Sequence, residues 1–272
     1  MDDFLRNTAA LMETVSPEEE KMGLRSGSPL PSPKALEDII ELVKAVVFPN
    51  YYGCPAGIQK DISNLYGLLL PQTGTAIAEA FIRRLPEIKR LLLTDVEAIA
   101  HNDPAVSDFS EIVFCYPAVQ VMIHYRTAHA LLELGAPVIP RIITELAHSA
   151  TGIDIHPAAS IGAWFAIDHG TGVVIGETCI IGNHVMLYQG VTLGAKNFKY
   201  DASGRPQNVP RHPIIEDNVT VYSNTSILGR VTIGHDSVIG GNIWLTHDVP
   251  PHTKLLQSKA IIVPEFGYGE GI

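Results

Sequence analysis

Cysteine is scarce in this chain of 272 residues, which has three, Cys54, Cys115 and Cys179. An odd number at unrelated spacings supports neither a disulfide framework nor a zinc cluster, so the three are expected to be reduced structural thiols. Long apolar runs are also missing. No stretch approaches the roughly 20 residues that a membrane-crossing helix needs. The N-terminus, with Asp2, Asp3 and Glu18 to Glu20, is too acidic for a secretory signal, and the expected compartment is cytoplasmic. Basic residues are in deficit: 19 Lys and Arg against 29 Asp and Glu leave a formal net charge of −10. That argues against nucleic acid as a partner, although Lys196 and Lys199 offer local positive charge to an anionic ligand. What remains is a chain of ordinary apolar share, 46%, long enough for two domains.

What is present instead is a repeat of six. Counting in sixes from Ile155 gives Ile161, Ile167 and Val173; after a shift of two the count resumes at Ile175, Ile181, Leu187 and Leu193. After an interruption it continues through Ile215, Val221, Ile227, Ile233, Ile239 and Leu245. Six is a multiple of the strand period of two but not of 3.6, so these side chains share one face only if the backbone is extended. Glycines after the aliphatic residue, at Gly162, Gly176, Gly182, Gly234 and Gly240, break the extended runs into short strands joined by tight corners. Three such segments make one turn of a triangular coil, the hexapeptide signature of a parallel β-helix. The region resembles the hexapeptide acyltransferases, and that resemblance implies a left-handed coil against the usual right-handed rule.

The expected fold class is therefore α+β, an N-terminal all-helical domain followed by a left-handed parallel β-helix. Residues 1–33 read as a flexible segment containing one short amphipathic piece and the breaker-rich run from Ser26 to Pro33. Residues 34–150 read as helical. Ser32 is an N-cap before Pro33, and helices are expected at about 55–70, at 74–100 with an interruption at Pro86, from Pro117 to Leu134 and from Ile139 to about Ser149. The β-helix covers 151–250, with a loop at 194–213, and 251–272 form a C-terminal tail.

Several strings narrow the resemblance: Asp103-Pro-Ala between helices, Tyr125-Arg-Thr-Ala-His129 on a helix, Gly152-Ile-Asp-Ile-His-Pro-Ala158 at the start of the coil, Ala166-Ile-Asp-His-Gly-Thr-Gly172, and Pro210-Arg-His-Pro213 at the end of the loop. On spacing alone, Tyr125, Arg126 and His129 read as helix packing and surface charge, and Asp103 as a turn residue before Pro104. Taken with the helical domain, the strings are similar to those of serine O-acetyltransferases. That family moves acetyl from acetyl-CoA to the hydroxyl of L-serine in cysteine biosynthesis.

The residues suit this chemistry. With Ile167 pointing inward, Asp168 must point outward and His169 lies at or next to a corner. An alcohol needs a base, and histidine titrates closest to neutral pH. Asp154, about one coil earlier if a coil takes about eighteen residues, would orient the imidazole and stabilise its charged form. Arg211 can pair with a carboxylate in bidentate fashion. The resemblance assigns the base to His169 with Asp154, the serine carboxylate to Arg211 and His212, and its amino group to Asp103 and Asp168. It places coenzyme A along the coils near Ala195, Ser223 and Gly241, although the family's usual small-residue run is replaced by Val-Tyr-Ser-Asn-Thr around Ser223. It further implies trimers or hexamers, feedback inhibition by L-cysteine, and docking of the terminal Ile272 into O-acetylserine sulfhydrylase. The 194–213 loop is longer than in the best-known bacterial members. No metal is expected, since His247 and His252 read as loop residues separated by Pro250-Pro251. Other readings compatible with the residues are an O-acetyltransferase for a sugar, a zinc hydratase on the same coil, and a non-catalytic scaffold subunit.

Overall fold

The computed structural model describes residues 2–14, 16–22, 31–53 and 57–258. Two compact units are resolved, 1–31 and 32–272. In the first, α1 (Asp2–Glu13) and α2 (Pro17–Met22) are short helices that bury none of their own residues. Cys54, most of the breaker-rich run and the tail from 259 to Ile272 lie outside the described residues.

The second unit opens with α3 (Pro33–Val47). Ser32 caps it by accepting a hydrogen bond from the Ala35 N–H, with Pro33 in the first turn. Leu36, Ile39, Ile40 and Val43 form its buried stripe, the i, i+3, i+4, i+7 spacing of a helix packed on one side. A single turn, α4 (Pro49–Tyr52), precedes α5 (Ile58–Thr73) and α6 (Thr75–Asn102). Contrary to the sequence expectation, Pro86 does not interrupt α6. Phe81 and Leu85 before it and Ile88 and Leu92 after it are buried on one face, and their packing holds the helix through the missing N–H, a defect of about 3 kcal/mol in an unsupported helix. A short helix not read from the sequence, α7 (Phe109–Cys115), is capped by Asp108. It leads into α8 (Pro117–Glu133), which is buried around most of its circumference, and α9 (Ile139–Thr151) follows.

From Asp154 onward the chain is a left-handed parallel β-helix of about five turns, three sheets of short strands forming a triangular prism. The first sheet stacks β1 (Asp154–Ile155), β4 (Val174–Ile175), β7 (Thr192–Gly194), β10 (Ser226–Leu228) and β13 (Trp244–Leu245). The second stacks β2 (Ser160–Ile161), β5 (Ile180–Ile181), β8 (Ile214–Ile215) and β11 (Thr232–Ile233). The third stacks β3 (Ala166–Asp168), β6 (Met186–Tyr188), β9 (Thr220–Val221), β12 (Val238–Ile239) and β14 (Lys254–Leu255). Ile155, Ile167, Ile175, Leu187, Leu193, Ile227, Ile233 and Ile239 fill the interior and are at most 2% exposed, each worth roughly 1.5–3 kcal/mol on burial.

Register accounts for the break in the count. Asp154 pairs with Val174 and Ser160 with Ile180, whereas Val174 pairs with Thr192 and Thr220 with Val238. The first turn is thus two residues longer than a regular one, and the extra residues lie in the corner between β3 and β4. Val173 is therefore not a rung residue. It is buried at the position two before the rung, equivalent to Ala159, Cys179 and Val185, and the inward rung residue is Ile175. The third turn is longer by a different device. Ile180 pairs with Ile214, 34 residues on, because the loop after β7 is inserted there. That loop carries a small hairpin with an antiparallel bridge between Tyr200 and Pro206. Its turn is held by Asp201, which accepts hydrogen bonds from the backbone N–H groups of Ser203 and Arg205.

The helices are tied to the first turn by a buried network. Arg126 is 5% exposed, not a surface charge as its place on α8 had suggested. It pairs with Asp95 of α6 and donates to the carbonyls of Ile161 and Gly162, while Asp95 also accepts from the Phe165 N–H. The Tyr125 hydroxyl donates to the Ala159 carbonyl, and Thr94 accepts from the Trp164 N–H. This network fixes α6 two turns before its end, and that end carries Asp103.

Candidate active site

The enlarged corner between the third and first sheets presents His169. Its φ is 55°, a left-handed conformation costly for most side chains, and the next residue must be small: a Cβ on Gly170 would lie 2.5 Å from the Ile153 side chain. The His169 side chain is 74% exposed, with Nε2 3.8 Å from the Asp168 carboxylate. Facing it is the end of α6. Asp103 accepts from the Ala105 N–H at 2.8 Å and from the Tyr116 hydroxyl at 2.5 Å. These bonds, that from Tyr116 foremost, hold the Asp103 carboxyl below the usual range, and the same bond pushes the Tyr116 phenol up to about 12. At neutral pH Asp103 is therefore an anion and Tyr116 a neutral donor. Asp103, Tyr116, Asp168 and His169 line one cavity of about 420 Å³. Two carboxylates and an imidazole around one space suit an ammonium group beside a hydroxyl.

A second cluster occupies the edge between the first and second sheets, where the inserted loop returns. Arg211 bonds to Glu177 at 2.5 Å and to Asn208 at 3.0 Å. Burial alone would raise the Glu177 carboxyl, but Arg211 and Asn208 outweigh it and its pKa is lowered. His212 is 7% exposed. Its Nδ1 accepts from the Thr178 N–H at 3.1 Å, which leaves the proton on Nε2. Burial, reinforced by Arg211, pushes the His212 imidazole down to about 4. Arg230 donates to the Thr178 and His212 carbonyls and, with Lys196 and Lys199, lines an adjoining cavity of about 290 Å³.

The imidazole of His212 packs directly against Gly176. A Cβ there would sit 2.1 Å from Cδ2 of the ring, below any real contact distance. Gly176→Ala must therefore displace the buried His212, and its unfolding free energy is expected to fall by about 1–3 kcal/mol in denaturant titration. His212 also predicts a pH effect. Its folded pKa of about 4 lies below the ordinary value of about 6.5. The stability it contributes is thus present above pH 6.5 and lost as pH falls toward 4, amounting to roughly 2–3 kcal/mol. His156, whose pKa burial also lowers, acts in the same direction. Denaturant midpoints measured between pH 7 and 4 should fall less in His212→Asn, which can still accept the Thr178 bond.

The remaining residues divide between the edges. Asp154, on β1, lies 3.5 Å from the Arg141 guanidinium of α9, and no hydrogen bond joins it to His169. Ser223 and Gly241 stack on the His169 edge, where a Cβ on Gly241 would approach the Ser223 carbonyl at 3.0 Å. Ala195 begins the loop on the Arg211 edge. Among the described residues, the structure groups Asp103, Asp168 and His169 in one place and Arg211 and His212 in another. Sequence reasoning missed Tyr116, Glu177 and Thr178. No local spacing marks them, since Glu177 and Arg211 are 34 residues apart and meet only because one turn carries the loop.

No protein-family model matches the chain. It is 43% identical over 277 residues to the protein named "Serine acetyltransferase, plasmid" of Synechococcus elongatus, covering 90% of this chain and 86% of that protein. In structure it is similar to serine acetyltransferase isoform 3 of Entamoeba histolytica in complex with cysteine, with a TM-score of 0.74 and 32% identity over 97% of this chain and 96% of that one. Serine acetyltransferase 1 of the same organism, in complex with L-cysteine, gives a TM-score of 0.73 and 34% identity over 86% and 94%. With this prism, these clusters and identity across nearly the whole length, the chain belongs to the serine acetyltransferase family.

Proposed function

We infer that the chain is a serine O-acetyltransferase, converting acetyl-CoA and L-serine into CoA and O-acetyl-L-serine, a step toward cysteine. The observation that carries the reading is the grouping of Asp103, Asp168 and His169 around one cavity in a member of this family. The serine ammonium lies between the two carboxylates. His169 removes the hydroxyl proton as the oxygen attacks the thioester carbonyl; the C–S bond of the tetrahedral intermediate then breaks and the imidazolium returns the proton to the CoA thiolate. No covalent acetyl-enzyme is needed. Asp154 serves this step by orienting His169, which requires it to exchange Arg141 for the imidazole in the assembled site.

The serine carboxylate is held by Arg211 and His212. These lie at a different edge of the prism from His169, so one chain holds half of each requirement. A three-fold assembly that sets one edge of each prism against the other edge of its neighbour completes the site between copies. Exposed Trp244, Tyr222 and Ile180 on the flat faces favour such a trimer, and the helical region joins two trimers in a hexamer. Coenzyme A runs down the cleft past Ser223 and Gly241 of one copy and Ala195 of the next, with its phosphates near Lys196, Lys199 and Arg230.

L-Cysteine has the same ammonium and carboxylate as serine, and the cysteine-bound relatives support its binding here as a feedback inhibitor. The terminal Ile272 is the docking element for O-acetylserine sulfhydrylase. The enzyme is assigned to the cytoplasm; no described helix is long and apolar enough to cross a membrane. The test is thiol release from acetyl-CoA with L-serine and, as control, a simple sugar. Release with serine alone is expected, and release with the sugar but not serine would replace this reading with a sugar acetyltransferase.

A further inference from the structure

His252 has a partner that linear spacing hides. It is not His247, five residues earlier, but His235, one turn up the coil. The corner between the second and third sheets brings the two imidazoles to 4.9 Å between ring centres, nearly perpendicular, with Asp236 between them. The Asp236 Oδ2 atom is 2.8 Å from Nδ1 of His235 and 3.5 Å from Nδ1 of His252. A ligand atom from each of the three residues lies within 4.8 Å of the other two.

The backbone sets this convergence. Asp236 and His252 both adopt left-handed φ values of 57° at successive corners, and the His252 N–H donates to the His235 carbonyl at 2.9 Å. Gly234 permits the approach, since a Cβ there would lie 2.4 Å from the Pro251 nitrogen. The two prolines that separate His252 from His247 thus press onto Gly234 and carry His252 to His235. The carboxylate is oriented as well: Oδ1 of Asp236 accepts from the Asn218 side-chain amide at 2.9 Å, leaving Oδ2 directed at the imidazoles. Anchoring of a ligating carboxylate by a second hydrogen bond is the usual arrangement behind a metal ligand.

We propose that His235, Asp236 and His252 form a binding site for a divalent transition-metal ion of the zinc type, outside the catalytic machinery. Two imidazoles and one carboxylate oxygen favour such ions over magnesium or calcium, which prefer oxygen donors. Zinc bound at about 2.0–2.1 Å to tetrahedral ligands sets those ligands about 3.3 Å apart, and the 2.8 and 3.5 Å separations bracket that spacing. Three protein ligands leave one position for water. The ion ties the corner before β12 to the corner before β14, the last described rung, and clamps that end of the prism. A ligand that binds only the folded chain raises its stability by mass action.

The probe is Zn²⁺ alone, titrated calorimetrically into the chelator-treated full chain. One ion per chain is expected at this site, with affinity reduced at least tenfold in both His235→Ala and His252→Ala. Zinc should raise the unfolding midpoint of the wild type and not of these variants. Activity without added metal should be unchanged in His252→Ala, whose side chain is 70% exposed. Parallel titration of His148→Ala, at the other described group of metal-ligand type, Glu145, His148 and Asp154, and of Cys115→Ser identifies zinc bound elsewhere. Absence of binding to the wild type, or affinity unchanged in His235→Ala and His252→Ala, would overturn the proposal.

Discussion

Replacing His169 is expected to lower kcat for acetylation of serine by about 10²–10⁴-fold, the usual contribution of a positioned general base. KM for acetyl-CoA should change little, because the imidazole touches the proton in flight and not the nucleotide. The choice of variant matters. At φ 55° an alanine adds backbone strain of roughly 1–2 kcal/mol, whereas asparagine accepts the left-handed conformation readily. His169→Asn should therefore keep the wild-type unfolding midpoint while losing the base, and His169→Ala should lose the base with a slightly lower midpoint. Equal kcat in wild type and His169→Asn would remove His169 from the mechanism.

Asp95→Ala carries the largest expected loss of stability. The substitution leaves the Arg126 guanidinium at 5% exposure without its carboxylate, and orphans the Phe165 N–H as well. Breaking a buried pair from one side costs about 3–5 kcal/mol, which for a unit of this size is roughly 6–20 °C in the thermal midpoint. Removing the stranded charge in Asp95→Ala/Arg126→Met should recover part of that loss, a coupling that a double-mutant cycle measures. Activity should fall with stability even where the protein remains folded. The same network holds α6 against the first turn and so sets where Asp103 stands relative to His169. An unfolding free energy within about 1 kcal/mol of wild type for Asp95→Ala would mean that the pair does not anchor the helices.

Much of this molecule is legible from its sequence because a solenoid stores its fold in a period. The aliphatic residues from Ile155 to Leu245 mark the interior directly, and even the irregularities are informative. The two-residue shift after Ile167 is the enlarged corner that lifts His169 out of the coil, and the departure after Leu193 is the loop that delivers Arg211 and His212. Counting alone misplaced that shift by taking Val173 as a rung, since both rung positions and those two before them are buried and apolar. The contacts that position the chemistry are less legible. Tyr116 on Asp103, Asp95 on Arg126 and Glu177 on Arg211 join residues 13, 31 and 34 positions apart, brought together by helix docking and by the stacking of turns. Pro86 shows the opposite limit, a strong local breaker overruled by the burial of the residues around it.

On the proposed function, the amino-acid site is built from two edges of the prism contributed by different copies, and mixing subunits separates this from a site within one chain. His169→Asn and Arg211→Ala chains, each nearly inactive alone, are unfolded together in equal amounts and refolded. If the site is shared, random assembly restores wild-type halves at about one site in four, and roughly a quarter of wild-type serine acetylation should return. If each chain supplied both groups to its own site, every site would carry one defect, and activity no higher than that of the separate variants would rule out a shared site.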